Sequence, residues 1–349
     1  MNKKAFFVAG GTAGHINTAI EVGEQFKDNG HEIKFLTGRR HLDYKLFNNK
    51  DAEYLNAKPL MVASPAQLIK NIFHNMLLFI QVWFLIRKEK PTFVFGAGGY
   101  VCGPVLAAAH FQKIPVFILE QNSVFGLTNK ILAKIADKVF ISFKDTKGIE
   151  DKFKSKIVFT GNPIRKEFFS MNFNKTDDVY TILVFGGSLG AKEINELVIE
   201  FAQRDSLRPI RIIHQVGKAH ESKEVKAGEN INYIQYEYLD NILDNYKDAN
   251  LIICRSGAST LSELKVVGKP AVLIPLLVHK DKHQVHNANG LKTEQDNIWV
   301  SSTKELKEYE YRLMHEIIDK TYELEYKSDS KFENPLNHVV KEIIDHVYK

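Results

Sequence analysis

Ala5-Phe-Phe-Val-Ala-Gly-Gly-Thr-Ala-Gly-His15 and Thr181-Ile-Leu-Val-Phe-Gly-Gly-Ser-Leu-Gly-Ala191 are one device written twice: an apolar run, a Gly-Gly-Thr/Ser-x-Gly loop, then a stretch of helical periodicity. Glycine lets a backbone turn sharply and bring its N–H groups close to an anion with no Cβ in the way. An apolar strand feeding such a loop, and then a helix N-terminus, is how a parallel α/β sheet holds phosphate. Two copies, one in each half of a 349-residue chain, predict two similar domains facing one cleft. They point to an enzyme of nucleotide sugars rather than to a single dinucleotide-binding unit.

Working outward from the first copy, residues 5–9 read as a buried strand. Ile16, Ala19, Ile20 and Phe26 fall at helical spacing, and Asp28-Asn29-Gly30 ends that helix. Further strands are expected at 31–36, 92–95, 116–119 and 138–141, and in the second half at 181–185, 210–215, 231–234, 250–254 and 270–274. Strands alternating with helices specify an α/β architecture with a doubly wound parallel sheet in each half. The turn Gly161-Asn162-Pro163 marks the boundary, giving domains of residues 1–162 and 163–336. Residues 337–349 have helical apolar spacing (Val339, Ile343, Ile344, Val347) and are expected to return to the first domain.

Hydrophobic residues make up 44% of the chain and charged residues 26%, which excludes extended disorder. The net charge of +5 suits an anionic ligand or an anionic membrane surface. It is too small to indicate nucleic acid, and no aromatic-basic RNA motif accompanies it. Cys102 and Cys254 lie in apolar contexts and read as reduced, buried thiols of a cytoplasmic protein. The N-terminal apolar run is too short for a signal peptide and flows into the glycine loop, so it reads as strand. Residues 76–86, Met-Leu-Leu-Phe-Ile-Gln-Val-Trp-Phe-Leu-Ile, are strongly apolar, with Lys70 before them and Arg87, Lys88 and Lys90 after. The run is shorter than the roughly 20 residues a bilayer requires. It reads as a buried helix, or as an interfacial one with Met76, Phe79, Ile80, Trp83 and Phe84 toward the headgroups and Arg87 and Lys88 on anionic lipid. One face on the sheet and the other on a membrane satisfies both.

Gly10-Gly11-Thr12-Ala13-Gly14-His15 lacks Gly-x-Gly-x-x-Gly spacing, and the second strand ends Thr37-Gly38-Arg39-Arg40 without a carboxylate for a ribose. Both features argue against a dinucleotide. His15, directly after the loop, titrates near neutrality and is a candidate base; the plainer alternative is that it caps the loop. Gly98-Gly99-Tyr100 belongs to a second glycine-rich turn, either a tight strand-to-helix connection or a contact for anion or sugar. Glu120-Gln121-Asn122 ends a strand at the carboxyl edge, where open α/β sheets bind ligands. In the second half, Cys254-Arg-Ser-Gly-Ala-Ser-Thr-Leu-Ser-Glu263 opens a helix whose N–H groups and hydroxyls suit a pyrophosphate. Glu263 can accept both ribose hydroxyls, or act only as a first-turn acid on the helix dipole. His279, Asp281, His283 and His286 have the residue types of a zinc site, but the segment reads as a loop entering a helix. No Asp-x-Asp occurs, which argues against a metal-bound sugar diphosphate; helix N-termini and Arg165 would balance its charge instead.

Taken in order, Gly10–His15, Gly98-Gly-Tyr-Val-Cys-Gly-Pro104, Glu120-Gln-Asn122, Gly126-Leu-Thr-Asn-Lys130, Gly161-Asn-Pro-Ile-Arg165, Gly186-Gly-Ser-Leu-Gly190, His214-Gln215, Cys254-Arg-Ser-Gly257 and Ser262-Glu263 resemble the MurG family of peptidoglycan glycosyltransferases. The resemblance implies a GT-B fold of two Rossmann-like domains, with the donor in the second. It implies transfer of N-acetylglucosamine from UDP-N-acetylglucosamine to the C4 hydroxyl of the muramyl sugar of undecaprenyl-linked lipid I, with inversion and no cofactor, giving lipid II. His15 is then the base. Donor contacts fall at Thr12, Ala13, Gly14, Asn122, Arg165, Ser188, Leu239, Ala258, Ser259, Thr260, Leu261, Ser262, Glu263, and Gln284 or His283. Among them Glu263 holds the ribose and the Leu239 backbone reads uracil. Gly98, Gly99, Tyr100 and Asn122 contact the acceptor. Residues 76–86 match the family's membrane-association patch, which implies a peripheral protein on the cytoplasmic face of the anionic inner membrane, with cell-wall synthesis proteins as partners.

The chain departs from the family pattern at Ala13, where glycine is usual and a methyl narrows the diphosphate approach. It lacks the helix-opening proline near Ile16-Asn17-Thr18, which predicts a looser helix start. The segment before His279 is one residue longer, and His283 is a further difference. A UDP-N-acetylglucosamine 2-epimerase shares this architecture, but needs carboxylates converging on the sugar and no lipid-facing patch. Glu120-Gln-Asn122 and Gly126-Leu-Thr-Asn129 speak against a same-fold transferase to another glycolipid, and His15, Arg165 and Glu263 against a silent binding protein.

Overall fold

The computed structural model describes residues 3–60, 62, 64–173, 179–187, 189–218, 224–277, 282–322, 324 and 333–348. The chain forms two compact units, Met1–Lys166 with Glu333–Lys349, and Glu167–Phe332. The division falls after Lys166 rather than Asn162, and the chain re-enters the first unit at Glu333.

The first unit contains β1 (Lys4–Ala9), α1 (Ala13–Asp28), β2 (Glu32–Thr37), α2 (His41–Leu46), β3 (Ala52–Tyr54), α3 (Pro65–Glu89), β4 (Phe93–Gly98), α4 (Cys102–Phe111), β5 (Val116–Glu120), α5 (Leu127–Leu132), β6 (Lys138–Ile141) and β7 (Ile157–Phe159). The second contains α6 (Glu167–Ser170), β8 (Tyr180–Phe185), α7 (Lys192–Ala202), β9 (Ile210–Gln215), β10 (Ile231–Tyr236), α8 (Ile242–Asp248), β11 (Leu251–Cys254), α9 (Ala258–Val267), β12 (Ala271–Leu273), α10 (His283–Glu294), β13 (Ile298–Val300) and α11 (Thr303–Tyr322). Helix α12 (Pro335–Val347) belongs to the first unit.

Among the described residues the sheets run β3-β2-β1-β4-β5-β6-β7 and β10-β9-β8-β11-β12-β13. All their pairings are parallel. In each sheet the winding reverses beside the strand that carries the glycine loop, between β1 and β4 and between β8 and β11. Connections leave in opposite directions at such a point and open a crevice at the strands' carboxyl ends. Alternation along β1 supplies both faces of the first sheet. Phe6 and Val8 join Leu78, Val82 and Ile86 of α3 and Val105 and Leu106 of α4, while Ala5, Phe7 and Ala9 join α1 and Leu336, Val339 and Ile343 of α12. A sheet covered on both faces needs such continuously apolar strands. In the second unit Ile182 and Val184 pack with Ile194, Leu197 and Val198 of α7 and Met314 and Ile317 of α11.

Several elements differ from expectation. Strands β3, β7 and β13 are three residues each, too short to show a period of two. Strand β4 continues to Gly98, because the chain shifts register between Val8 and Ala9 and pairs Ala9 with Gly98. Helix α1 starts at Ala13 with Thr12 as N-cap, whose hydroxyl accepts the His15 N–H at 3.3 Å. This cap supplies the helix start that the missing proline was expected to loosen. Gly14 is therefore helical, whereas Gly190 stays in its loop at φ +83° because α7 opens only at Lys192. The apolar run 76–86 lies inside a 25-residue helix opened by Pro65 and closed at Lys90. By length and composition that helix can cross a membrane, which corrects the length judged from the run alone.

Candidate active site

At the carboxyl end of β1, Gly11 turns with φ +92° and lies beside the end of β4. A Cβ on Gly99 would come within 2.2 Å of the Gly10 carbonyl oxygen, and one on Gly98 within 2.8 Å of the His15 ring. These two glycines therefore let β4 press against the first loop. His15 is half-buried in the first turn of α1, with Nδ1 3.4 Å from the Gly10 carbonyl oxygen. A carbonyl only accepts, so Nδ1 carries the proton and the lone pair is on Nε2. Burial pushes the imidazole pKa below its ordinary value, opposed by the Glu120 carboxylate and the Gly10 carbonyl.

Glu120, buried at the end of β5, accepts the N–H groups of Asn122 at 2.9 Å and Gly126 at 2.8 Å and the side-chain amide of Asn129 at 2.9 Å. The Asn122 amide also turns back to Glu120, at 3.3 Å. Gln121 donates to the Gly14 carbonyl at 3.2 Å and the Thr18 hydroxyl at 2.7 Å, tying the start of α1 to β5. The Arg40 guanidinium lies over the Tyr100 ring at 4.9 Å. From sequence Gln121 had a place at the carboxyl edge of β5 but not its partners on α1, and Arg40 had no site role, because those partners are distant in the chain. Arg165 is half-buried and lies in the first unit.

In the second unit the loop after β8 and the N-terminus of α9 line a cavity of about 530 Å³, with Gly186, Gly187, Gly190, Arg255, Thr260 and Gln284 in its walls. Ser188 lies outside the described residues. Gln284 and not His283 lines this cavity, and its side-chain oxygen accepts the Leu276 N–H at 3.0 Å. Arg255 is ion-paired with Glu193. Within 258–263, Ala258 and Leu261 turn their side chains into the core and offer a ligand backbone only. The Ser262 hydroxyl donates to the Ala258 carbonyl at 3.1 Å. Ser259 and Thr260 are half-buried. Glu263, also half-buried, accepts the Tyr246 hydroxyl on Oε2 at 2.9 Å.

The Leu239 N–H donates to Gln215 Oε1 at 2.9 Å, and Gln215 Nε2 donates to the Gly187 carbonyl at 3.0 Å. One buried amide thus joins the glycine loop to the Leu239 backbone. Behind it, His214 is fully buried, with Nδ1 2.8 Å from the Tyr233 hydroxyl and Nε2 3.1 Å from Asn195 Oδ1. Burial pushes its pKa down to about 4. Burial likewise pushes the Cys102 thiol up to about 12 and raises Cys254, so both are inert thiols. Among the described residues no group of three His, Cys, Asp or Glu is placed to hold a metal ion; His279 and Asp281 lie outside them.

On α3, Leu78, Val82 and Ile86 face the core, and Phe79 and Trp83 are half-buried with rings 5.8 Å apart. Met76, Ile80 and Phe84 are exposed, as are Arg87 and Lys88. The exposed strip takes in Leu77 and continues through Phe73, Ile72 and Ile69, two turns beyond the run singled out from sequence.

Residues 5–141 match the glycosyltransferase family 28 N-terminal domain, and residues 181–347 the glycosyltransferase family 28 C-terminal domain. The UDP-N-acetylglucosamine--N-acetylmuramyl-(pentapeptide) pyrophosphoryl-undecaprenol N-acetylglucosamine transferase of Halothermothrix orenii is 34% identical over 338 residues, 90% of each chain. That of Acetivibrio thermocellus is 36% identical, covering 85% of this chain and 84% of the relative. Among solved structures, Acinetobacter baumannii MurG superposes with a TM-score of 0.67 at 26% identity, covering 98% of this chain and 99% of that one. A Neisseria meningitidis UDP-GlcNAc 2-epimerase, at 16% identity and a TM-score of 0.57 over 99% of each chain, shares the fold alone. With these matches along nearly its whole length, the chain belongs to glycosyltransferase family 28 and, within it, to the N-acetylglucosaminyl transferases of the MurG family.

Proposed function

We propose that this protein moves N-acetylglucosamine from UDP-N-acetylglucosamine to the C4 hydroxyl of the muramyl sugar of lipid I, giving lipid II. The observation that carries the reading is that a member of this family holds an imidazole against the glycine loop of its first sheet, in the first turn of α1. Inversion requires one displacement. The acceptor oxygen bonds to the anomeric carbon while the bond from that carbon to the diphosphate oxygen breaks. The hydroxyl proton passes to Nε2 of His15, and the electron pair of the broken bond leaves with UDP. A depressed pKa serves this role, because only the neutral ring takes up a proton.

The donor is assigned to Thr12, Ala13, Gly14, Asn122 and Arg165 in the first unit, and to Ser188, Leu239, the run 258–263 and Gln284 in the second. Glu263 accepts ribose hydroxyls, and the Leu239 backbone meets uracil. Loop N–H groups, the N-terminus of α9 and Arg165 balance the diphosphate, so no metal takes part. Gly98, Gly99 and Tyr100 meet the acceptor. The exposed strip of α3 with Arg87 and Lys88 seats the protein peripherally on the anionic cytoplasmic face of the membrane that carries lipid I. Cell-wall synthesis proteins are the expected neighbours there.

The test mixes purified protein, labelled UDP-N-acetylglucosamine and a short-chain lipid I analogue, with and without EDTA. EDTA-insensitive transfer to the lipid is expected. Conversion of the nucleotide sugar to its 2-epimer, or release of UDP without transfer, would overturn the assignment.

A further inference from the structure

We propose that Tyr246 is the positioning residue for the Glu263 carboxylate, and through it sets the preference of the donor site for ribonucleotides over deoxyribonucleotides. The inference rests on the reading of Glu263 as the acceptor of the ribose hydroxyls. Tyr246, on α8, is fully buried. Its ring is held edge-on by Phe168 at 5.5 Å and Phe185 at 5.9 Å, with interplanar angles of 75° and 74°. Phe185 is the last residue of β8, so the same packing anchors the ring to the strand that carries the second glycine loop. Close-packed on two sides, the phenol keeps one direction for its hydroxyl, and that direction is Glu263 Oε2 at 2.9 Å.

A glutamate on a half-exposed helix has three rotatable bonds and loses that freedom when it grips a ligand. A hydrogen bond from a rigid donor to one carboxylate oxygen fixes the plane of the group beforehand. Two adjacent sugar hydroxyls then meet oxygens whose lone pairs already point in set directions, and the ordering cost is removed from binding. Phenylalanine would fill the same core volume, so packing alone does not call for the hydroxyl.

The experiment is calorimetric titration of wild type, Tyr246→Phe, Glu263→Ala and the double variant with UDP and with 2′-deoxy-UDP, alongside thermal unfolding. Tyr246→Phe is expected to weaken UDP about five- to tenfold and 2′-deoxy-UDP less than about twofold. It should add nothing in the Glu263→Ala background, since a residue acting through another has no effect once that one is removed. Equal losses for both nucleotides, or additive losses in the double variant, would overturn the proposal and leave Tyr246 a core residue. If Glu263→Ala leaves UDP affinity unchanged, the ribose reading fails first and the inference falls with it. Should Tyr246→Phe not fold, Phe168→Leu keeps the question open to test, because it loosens the packing that aims the phenol while leaving the Glu263 side chain whole. Lost discrimination between the two nucleotides would then support the proposal, and retained discrimination would overturn it.

Discussion

At the scale of single residues, chemistry and burial are set by different neighbours. His15 owes its place to the Thr12 cap and to Gly98, which leaves room for the ring, and owes its lowered pKa to desolvation. His15→Ala is expected to lower kcat about 10²- to 10⁴-fold with little change in donor KM, as for loss of a general base. A donor KM that rises while kcat is unchanged would remove the residue from the proton transfer. In the wild type, the acid limb of kcat/KM should lie below pH 6.5, since the folded pKa is lowered and the ring stays neutral further down. His214 works in stability instead. Its folded pKa is about 4 against an ordinary 6.5. Between those values the unfolded chain binds the proton and the folded one does not, so stability is lost as pH falls through that window. Urea unfolding at pH 7 and pH 4.5 should show an acid-dependent loss of about 2–3 kcal/mol in the wild type that is absent in His214→Gln. Equal losses in both would assign it elsewhere.

At the scale of the element, α3 has one face in the core and an exposed apolar face. Val82 is fully buried, while Phe73 is 57% and Phe84 66% exposed. Exposed phenylalanines at this spacing contribute nothing to the core, so their replacement should leave folding intact. Phe73→Ser with Phe84→Ser is expected to weaken binding to anionic vesicles by about tenfold or more, from the transfer energy of two half-exposed rings. The melting temperature should hardly move. Undiminished vesicle binding would detach this strip from the membrane role. The helix also shows where sequence periodicity falls short. The apolar run marked its centre, but its first two turns are amphipathic with polar residues among them, and only the helical register lines up Ile69, Ile72 and Phe73 with Met76.

At the scale of the whole molecule, the chain leaves its first unit, builds a second, and returns. Leu336, Val339, Val340 and Ile343 of α12 complete the face of the first sheet formed by Ala5, Phe7 and Ala9. A chain ending before Glu333 is therefore expected to lose the calorimetric transition of the first unit, or to lower its midpoint by well over 10 °C, while the second unit keeps its transition. Two unshifted transitions would show that the helix is dispensable. The twin glycine loops, the alternation of strand and helix and the apolar C-terminal stretch were all legible beforehand, because each depends on a period or a spacing carried within a few residues. His15, beside the first loop, and Glu263, in the run that opens α9, stood out in the sequence by residue type alone. The sequence by itself thus determined two parallel α/β sheets and the residue types at their carboxyl edges. Tertiary structure alone decided which neighbours act on those residues: Gln121 on the first loop, Gln215 between Gly187 and Leu239, and Tyr246 on Glu263. The reason is that a hydrogen bond between groups 17 to 107 residues apart leaves no local pattern. It exists only once strand order and helix packing have brought the two groups within 3 Å or so.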